Sequence, residues 1–265
     1  MHRDGEELTV GGVLQAAFAL YRNHAATLFK IVALVVIPAQ VLVLIIFRVS
    51  LSHAFAINGT IYTSGPTAVP ALSVIVIGFI SAILAIGALS KALVDAYTGH
   101  PSDWRHSLSF AGDHLGPLIW LALVSGILLT IGYLLLVIPG IYFTVAWSVA
   151  VPALVFERIG PLAALQRSQD LVAGRWWATF AALLVALVLI VGLTFVIDLI
   201  LGAIASSGTV DVLLLVSAIA RTISALLTYP LLAAVSAVIY VDLRARKEGP
   251  TGGGLAAPIG TSPRR

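Results

Sequence analysis

The chain has 265 residues, 60% hydrophobic and 10% charged, against about 25% charged in a soluble domain, which excludes an ordinary globular protein. Its 15 basic and 12 acidic side chains are too few to shield so much apolar surface from water, whereas six membrane helices of roughly 20 residues each would absorb most of it. The net charge of +3 comes without a basic block, so no nucleic-acid partner is expected, and the absence of Cys excludes disulfides, thiolate nucleophiles and thiolate metal sites.

Residues 1–9, MHRDGEELT, carry Asp4, Glu6 and Glu7, and the first long apolar run starts only near Leu28. That is too acidic and too late for a signal peptide, so the first helix is expected to stay as an uncleaved anchor. Apolar runs bounded by charge, Gly or Pro predict spans near 28–50, 72–94, 117–138, 140–157, 177–201 and 221–241. The Ile138-Pro139-Gly140 sequence makes the turn between spans three and four very tight, so these two are expected to form one hairpin. Six spans return both termini to one side. Thirteen of the fifteen basic residues fall in the segments 1–30, 91–116, 157–176 and 242–265, while the other side receives only Arg48 and Arg221. The positive-inside rule therefore predicts both termini in the cytoplasm. Twelve Arg against three Lys, with abundant Ala and Val, suits a bacterium with a GC-rich genome, and the expected location is the bacterial cytoplasmic (inner) membrane.

Before each inward-facing start of a hairpin lies a shorter segment of helical periodicity and mixed polarity. In the second, Trp104, Leu108, Ala111 and Leu115 form one stripe, with Arg105, His106, Ser109 and Asp113 on other faces. Pro101 and Ser102 supply a start signal. Aligned on that stripe, the first segment offers Leu14, Phe18, Tyr21 and Ala25 and the third Leu165, Gln169, Val172 and Trp176, with only Gln169 breaking the pattern. Ten positions after each leading residue come His24, His114 and Arg175. The chain thus divides into a tail over 1–8, a membrane domain over 9–248 and a tail over 249–265. The membrane domain holds three units of amphipathic helix plus hairpin, about 9–98, 101–157 and 159–243. The expected partners of the three cytoplasmic helices are the lipid bilayer, through its anionic headgroups, and a further membrane protein.

Three stretches carry a family resemblance: LTVGGVLQAAFALYRNH near the start, VIPGIYFTVAWSVAVPALVFERIGPLAALQRSQDLVAGRWW in the centre and IYVDLRARKEG near the end. Together they resemble the membrane domain of glycerophosphodiester phosphodiesterases and the related six-helix bacterial membrane proteins that carry no catalytic domain. The resemblance covers most of residues 8–249 and is most specific over Pro139 to Trp177 and Tyr240 to Gly249. It implies the six-span architecture derived above. In the enzymes, the chemistry belongs to a separate barrel domain with paired His and metal-binding carboxylates. After Gly249 this sequence continues with PTGGGLAAPIGTSPRR, a Gly- and Pro-rich tail too short and too poor in large apolar residues to fold. Phosphodiesterase activity is therefore not carried over, and the resemblance transfers no functional residue.

Candidate chemistry is sparse. His100, Asp103, His106, Asp113 and His114 form the densest polar group, and Asp103 and His106 share a helical face, but the spacing matches no metal signature. Asp198, late in span five, and Arg221, opening span six, are expected near the outer interface, where they can close the hairpin as an ion pair or snorkel. Lys91 and Asp95 are spaced for a local pair. Pro38, Pro152 and Pro230 should each bend a span, and Gln40, an amide near mid-depth, should hydrogen-bond a neighbouring helix. Gly78 with Ala82, and Ala233 with Ala237, are spaced for close helix contact. Arg105, Arg167 and Arg175 are the candidates for meeting headgroups. No nucleophile elbow, phosphate loop, HExxH or dinucleotide fingerprint occurs, and nothing ionisable falls clearly at mid-membrane, as an ion-coupled pump would need.

The expectation is an all-α, polytopic membrane helix bundle of about six transmembrane and three cytoplasmic amphipathic helices. It is read as a non-enzymatic, lipid-associated scaffold or accessory component without a cofactor. The alternative is a transporter of a small or lipid-like molecule.

Overall fold

The structure, a computed structural model, describes residues 10–52, 54–57, 60–63, 68–99, 101–205 and 209–248. The expected tails over 1–8 and 249–265, and His100 of the polar group, lie outside the described residues. The order is α1 (Val10–Ser52), β1 (Ala54–Ile57), β2 (Thr60–Thr63), α2 (Ala68–Tyr97), α3 (Trp104–Asp113), α4 (Leu115–Leu135), α5 (Val137–Ala146), α6 (Ala150–Glu157), α7 (Pro161–Val172), α8 (Trp176–Ala205) and α9 (Val210–Glu248). The result is an all-α bundle whose two short strands form one antiparallel hairpin between α1 and α2, in the register Ala54↔Thr63 to Ile57↔Thr60. In the sequence Phe55 and Ile57 alternate with alanines, Thr60 and Tyr62 alternate with Ile61 and Thr63, and Asn58-Gly59 separates the two runs, a hairpin pattern that the length of apolar runs does not reveal.

α1 has 43 residues, about 64 Å at 1.5 Å per residue and twice what a span needs. The first amphipathic segment and span one are therefore one continuous helix. Nothing between Val13 and Ile37 stops a helix, since that stretch contains neither Gly nor Pro. Its buried face runs through Val13, Ala17, Leu20, Leu28, Ile31 and Val32, while Phe18 of the expected stripe is exposed and Leu14 and Tyr21 are half-buried. α9, 39 residues long, packs against α1 in the opposite direction: Val13 lies beside Ile239 and Leu243, and Arg48 pairs with Asp211 at the far end. α2 and α8 complete the main core around Leu28, Leu89, Leu93, Val235 and Tyr240.

The three prolines act differently. α1 and α9 run through Pro38 and Pro230 as single helices, Pro38 exposed and Pro230 fully buried. Span four is instead broken into α5 and α6, with a turn over Trp147 to Val149. Pro152 falls in the first turn of α6, where it has no N–H to give the Ser148 carbonyl and its ring crowds that carbonyl. α7 packs across the break, and the fully buried Ser168 joins its two sides. Its Oγ donates to the Ala146 carbonyl (2.7 Å) and accepts from the Val149 N–H (3.3 Å). The buried stripe of α7 is accordingly Ala164, Leu165, Ser168, Leu171 and Val172, so the core contact passes through Ser168 and Gln169 is beside it.

Spans three and four do form a hairpin, turned at the extended residue Leu136 two positions before the expected Ile138. The two helices of this hairpin touch at glycine: a Cβ on Gly132 would sit 3.3 Å from the Gly140 Cα, and one on Gly140 would sit 2.5 Å from the Tyr133 ring. Tyr133 is held by a 2.8 Å hydrogen bond between its hydroxyl and Thr144 Oγ1.

Candidate functional site

The polar groups gather where α2, α6 and α9 end, together with α3, α7 and the first turns of α1 and α8. Two constructions meet there, back to back across Phe156 and Glu157.

The first is an ionic knot. Glu157 closes α6, and Arg167 on α7 donates through Nε to both its carboxylate oxygens (2.9 and 3.0 Å). Tyr240, fully buried on α9, donates its hydroxyl to Glu157 Oε1 (2.7 Å), and Arg244 donates to that hydroxyl (3.3 Å) and to Glu248 (2.8 Å). A second nitrogen of Arg167 donates to Glu248, and Lys247 donates to the Asp170 carbonyl. Burial opposes the Arg167 charge, but the bonds to Glu157 and Glu248 outweigh it and hold its guanidinium above the ordinary value. With Arg167 and Arg244 set against Glu157 and Glu248, the knot fastens α6 and α7 to the end of α9.

The second is a cavity of about 440 Å³ lined by Lys91, Asp95, His106, Phe110, Phe156 and Arg158, among others. Lys91 and Asp95 are buried and pair one turn apart on α2, with the Lys91 ammonium 5.7 Å from the Phe110 ring centroid. Arg158 caps α6 in the left-handed region (φ 52°), which costs a side-chain-bearing residue about 1–2 kcal/mol and is the one such case among the described non-Gly residues. Arg158 is exposed, and its guanidinium has no hydrogen-bond or ion-pair partner among the described residues.

The residues singled out in the sequence are dispersed. Arg167 is the centre of the knot. Arg175, after the glycine turn at Gly174 (φ +88°), borders a narrow crevice with Asp242 and Thr179. Arg105 is exposed and lies 5.0 Å from the Trp104 ring. Asp198 and Arg221 are both exposed, and no ion pair joins them among the described residues; the pair at that end is Arg48 with Asp211. The physical reason is helix ends: Asp211 sits in the first turn of α9 and Arg48 near the last of α1, where the helix dipoles favour those signs. Gln40 is half-exposed and forms no hydrogen bond to a neighbouring helix among the described residues, because the partner helices face Val36 and Val43 on another side of α1. Among the described residues no group of three or more His, Asp or Glu could hold a metal. Asp103 instead caps α3, accepting from the Arg105 N–H (3.1 Å), and His114 stacks on Phe110 with ring centroids 4.1 Å apart. Glu157, Arg158, Tyr240 and Glu248 were not legible: Glu157 and Tyr240 are 83 positions apart, and no local spacing relates them.

Away from this polar region and apart from Arg48, Asp198, Asp211 and Arg221, the described surface is mostly apolar. Leu187, Val188, Phe195 and Leu199 on α8, and Leu134 and Ile138 at the α4–α5 hairpin, are more than half exposed. Among the described residues six helical stretches are long and apolar enough to cross a membrane, and the most apolar of them, Trp176–Ala203, is also the least buried. Water would not tolerate that surface, whereas lipid requires it. The protein is a multi-pass membrane protein built as an all-α bundle. Compared with family models, curated proteins and solved structures, the chain matches none of them.

Proposed function

We propose that this protein is a lipid-associated scaffold or accessory component of a bacterial cytoplasmic membrane, with both termini in the cytoplasm and no catalytic step of its own. The carrying observation is the region where α3 and α7 are fastened onto the ends of the spans. It presents Arg105, Arg158 and Arg175 in the same region as Trp104, Trp176 and Trp177, with Arg105 over the Trp104 ring, cations and aromatics mixed as an inner-leaflet interface favours. Trp177 is 75% exposed, and Trp176 is clamped between Tyr142 and Phe180 with its Nε1 donating to the Tyr142 carbonyl (3.3 Å). The resemblance of the chain's three sequence stretches to the membrane domain of glycerophosphodiester phosphodiesterases, itself part of the proposal, points the same way, since in those enzymes the chemistry belongs to a separate barrel domain.

The test is extraction of the full chain in polymer-bounded native membrane, followed by mass spectrometry of its lipids and proteins. Anionic lipid enriched over the bulk membrane, with a stoichiometric membrane-protein partner, is the expected result; bulk lipid composition and no partner would refute the reading. Transport of a lipid-like molecule has one observation in its favour, an apolar cavity of about 860 Å³ between α1, α8 and α9 lined by Leu14, Phe18, Tyr21, Leu193 and Leu231 with Arg22 at its rim. Lipid flux in reconstituted vesicles that depends on Phe18 would establish that reading instead.

A further inference from the structure

We propose that the cavity between the ends of α2 and α6 and the face of α3 binds a phosphate ester, with Lys91, His106 and Arg158 as its hydrogen-bond donors. The three side chains come from three separate elements and converge on one space of about 440 Å³, within the size range of small-molecule sites.

Each brings unused hydrogen-bonding capacity. The Lys91 ammonium has three protons and one acceptor, Asp95, although its side chain is only 10% exposed. A buried ammonium with donors unspent is unfavourable unless another acceptor arrives. Arg158 offers five N–H groups and spends none on a described residue. Its left-handed backbone is a place where Gly or Asn would sit without strain, so the strain is kept for what the guanidinium does. Exposed His106 adds a third donor. Lys91 and Arg158 against Asp95 leave one net positive charge, which a phosphate diester neutralises. Planar guanidinium and compact ammonium together are the usual pair for phosphate oxygens.

Of the remaining walls, Val94, Phe110, Val155 and Phe156 are apolar and suit an esterified glycerol or the first carbons of acyl chains more than a bare ion. This deepens the lipid-association reading and rests on it for the lipid source of the phosphate; a soluble phosphate ester shares the chemistry.

The experiment uses the full chain purified in maltoside micelles. Dihexanoyl phosphatidylglycerol, glycerol 3-phosphate and phosphate-free dihexanoylglycerol are titrated by calorimetry, with empty micelles subtracted. Saturable binding of phosphatidylglycerol but not dihexanoylglycerol is expected, weakened at least tenfold by Arg158→Gly. Because glycine relieves the left-handed backbone, that variant should melt no lower than the parent, which separates lost binding from lost fold. The paired change Lys91→Gln with Asp95→Asn should weaken binding comparably, and Arg221→Gln, a cation far from the cavity, should leave it unchanged. Binding of glycerol 3-phosphate as well would assign the site to soluble esters, and binding of the lipid alone would assign it to a headgroup; both support the pocket. No saturable binding, or binding indifferent to Arg158→Gly, overturns it. If anionic lipid is still enriched around the extracted protein in that event, only the pocket has failed and the lipid-association reading stands.

Discussion

Replacing Ser168 with Ala removes the single oxygen that joins the two halves of a broken span. The Ala146 carbonyl and the Val149 N–H are freed by the turn at Trp147 to Val149. The amide that would serve Ala146 in a continuous helix, that of Ala150, instead donates to Trp147 (3.1 Å). With Ser168 fully buried, no water replaces the hydroxyl. An orphaned buried backbone group costs about 1–3 kcal/mol. The 2.7 Å bond belongs in the middle of that range and the 3.3 Å bond at its low end, so together they are worth about 3 kcal/mol. Ala's better helix propensity within α7 returns about 0.5 kcal/mol, leaving a net loss of about 2.5 kcal/mol. Reversible unfolding in mixed micelles of increasing denaturing detergent reads this directly. The same argument requires coupling to Pro152. With Pro152→Ala, the helix can close through the break, the Ala150 N–H becomes available to Ala146, and Ser168→Ala should then cost about 1 kcal/mol less than in the parent background. A loss below about 0.5 kcal/mol for Ser168→Ala, or costs that simply add in the double variant, would show that Ser168 does not splint the break.

Arg167→Ala should lower stability by about 2 kcal/mol, because Glu157 stays partly buried (17% exposed side chain) with its main cation gone. Arg167→Lys should recover less than half of that, since one ammonium cannot serve Glu157 and Glu248 together; full recovery in the same unfolding assay would refute the two-carboxylate role. Tyr240→Phe should cost about 1 kcal/mol, one buried hydrogen bond, and an unchanged midpoint would remove that bond from the knot. Gly140→Ala should destabilise the α4–α5 hairpin by about 1–2 kcal/mol, because the added methyl meets a Tyr133 ring that is itself hydrogen-bonded. Gly87→Ala should be close to neutral, because the atom it meets at 2.5 Å is the mobile tip of Leu118; equal costs would refute the distinction. For the proposed orientation, single Cys residues in this Cys-free chain at exposed Ser109 and Gln166 should resist an impermeant maleimide in intact cells, while one at exposed Thr209 should react. The reverse pattern would invert the topology. Ser168 is unsuited to that comparison, since it is shielded on either side of the membrane.

The span reading succeeded because length and hydropathy are summed locally: an apolar run of 20 residues demands a membrane whatever it packs against. The separate amphipathic helices α3 and α7 were legible for the same reason, through the polarity that sets 104–113 and 161–172 apart from their neighbours. The first segment differs because the same periodicity continues, uninterrupted by Gly or Pro, into span one, and periodicity carries no information about where a continuous helix leaves the bilayer. Aligning the third segment on Gln169 missed its phase by one position, because a small polar residue that serves a backbone break looks from sequence like an interruption of the apolar stripe.

The pairing of charges shows the same division. Lys91 with Asp95 was readable, since four positions on a helix put two side chains side by side. Arg48 with Asp211, Arg167 with Glu157, and Tyr240 with Glu157 span 163, 10 and 83 positions, and each depends on which helix ends the packing brings together. The sequence by itself determined that this protein lives in a membrane as an all-α bundle, because composition and run length decide the solvent a chain can tolerate. Only the tertiary structure decided where its few polar groups act. It broke span four over Trp147 to Val149, laid α7 over the break, and turned Arg158 into a strained cap that shares a cavity with Lys91. Side chains remote in sequence meet only through that packing, and their mutual distances, on which recognition depends, leave no periodic trace in the chain.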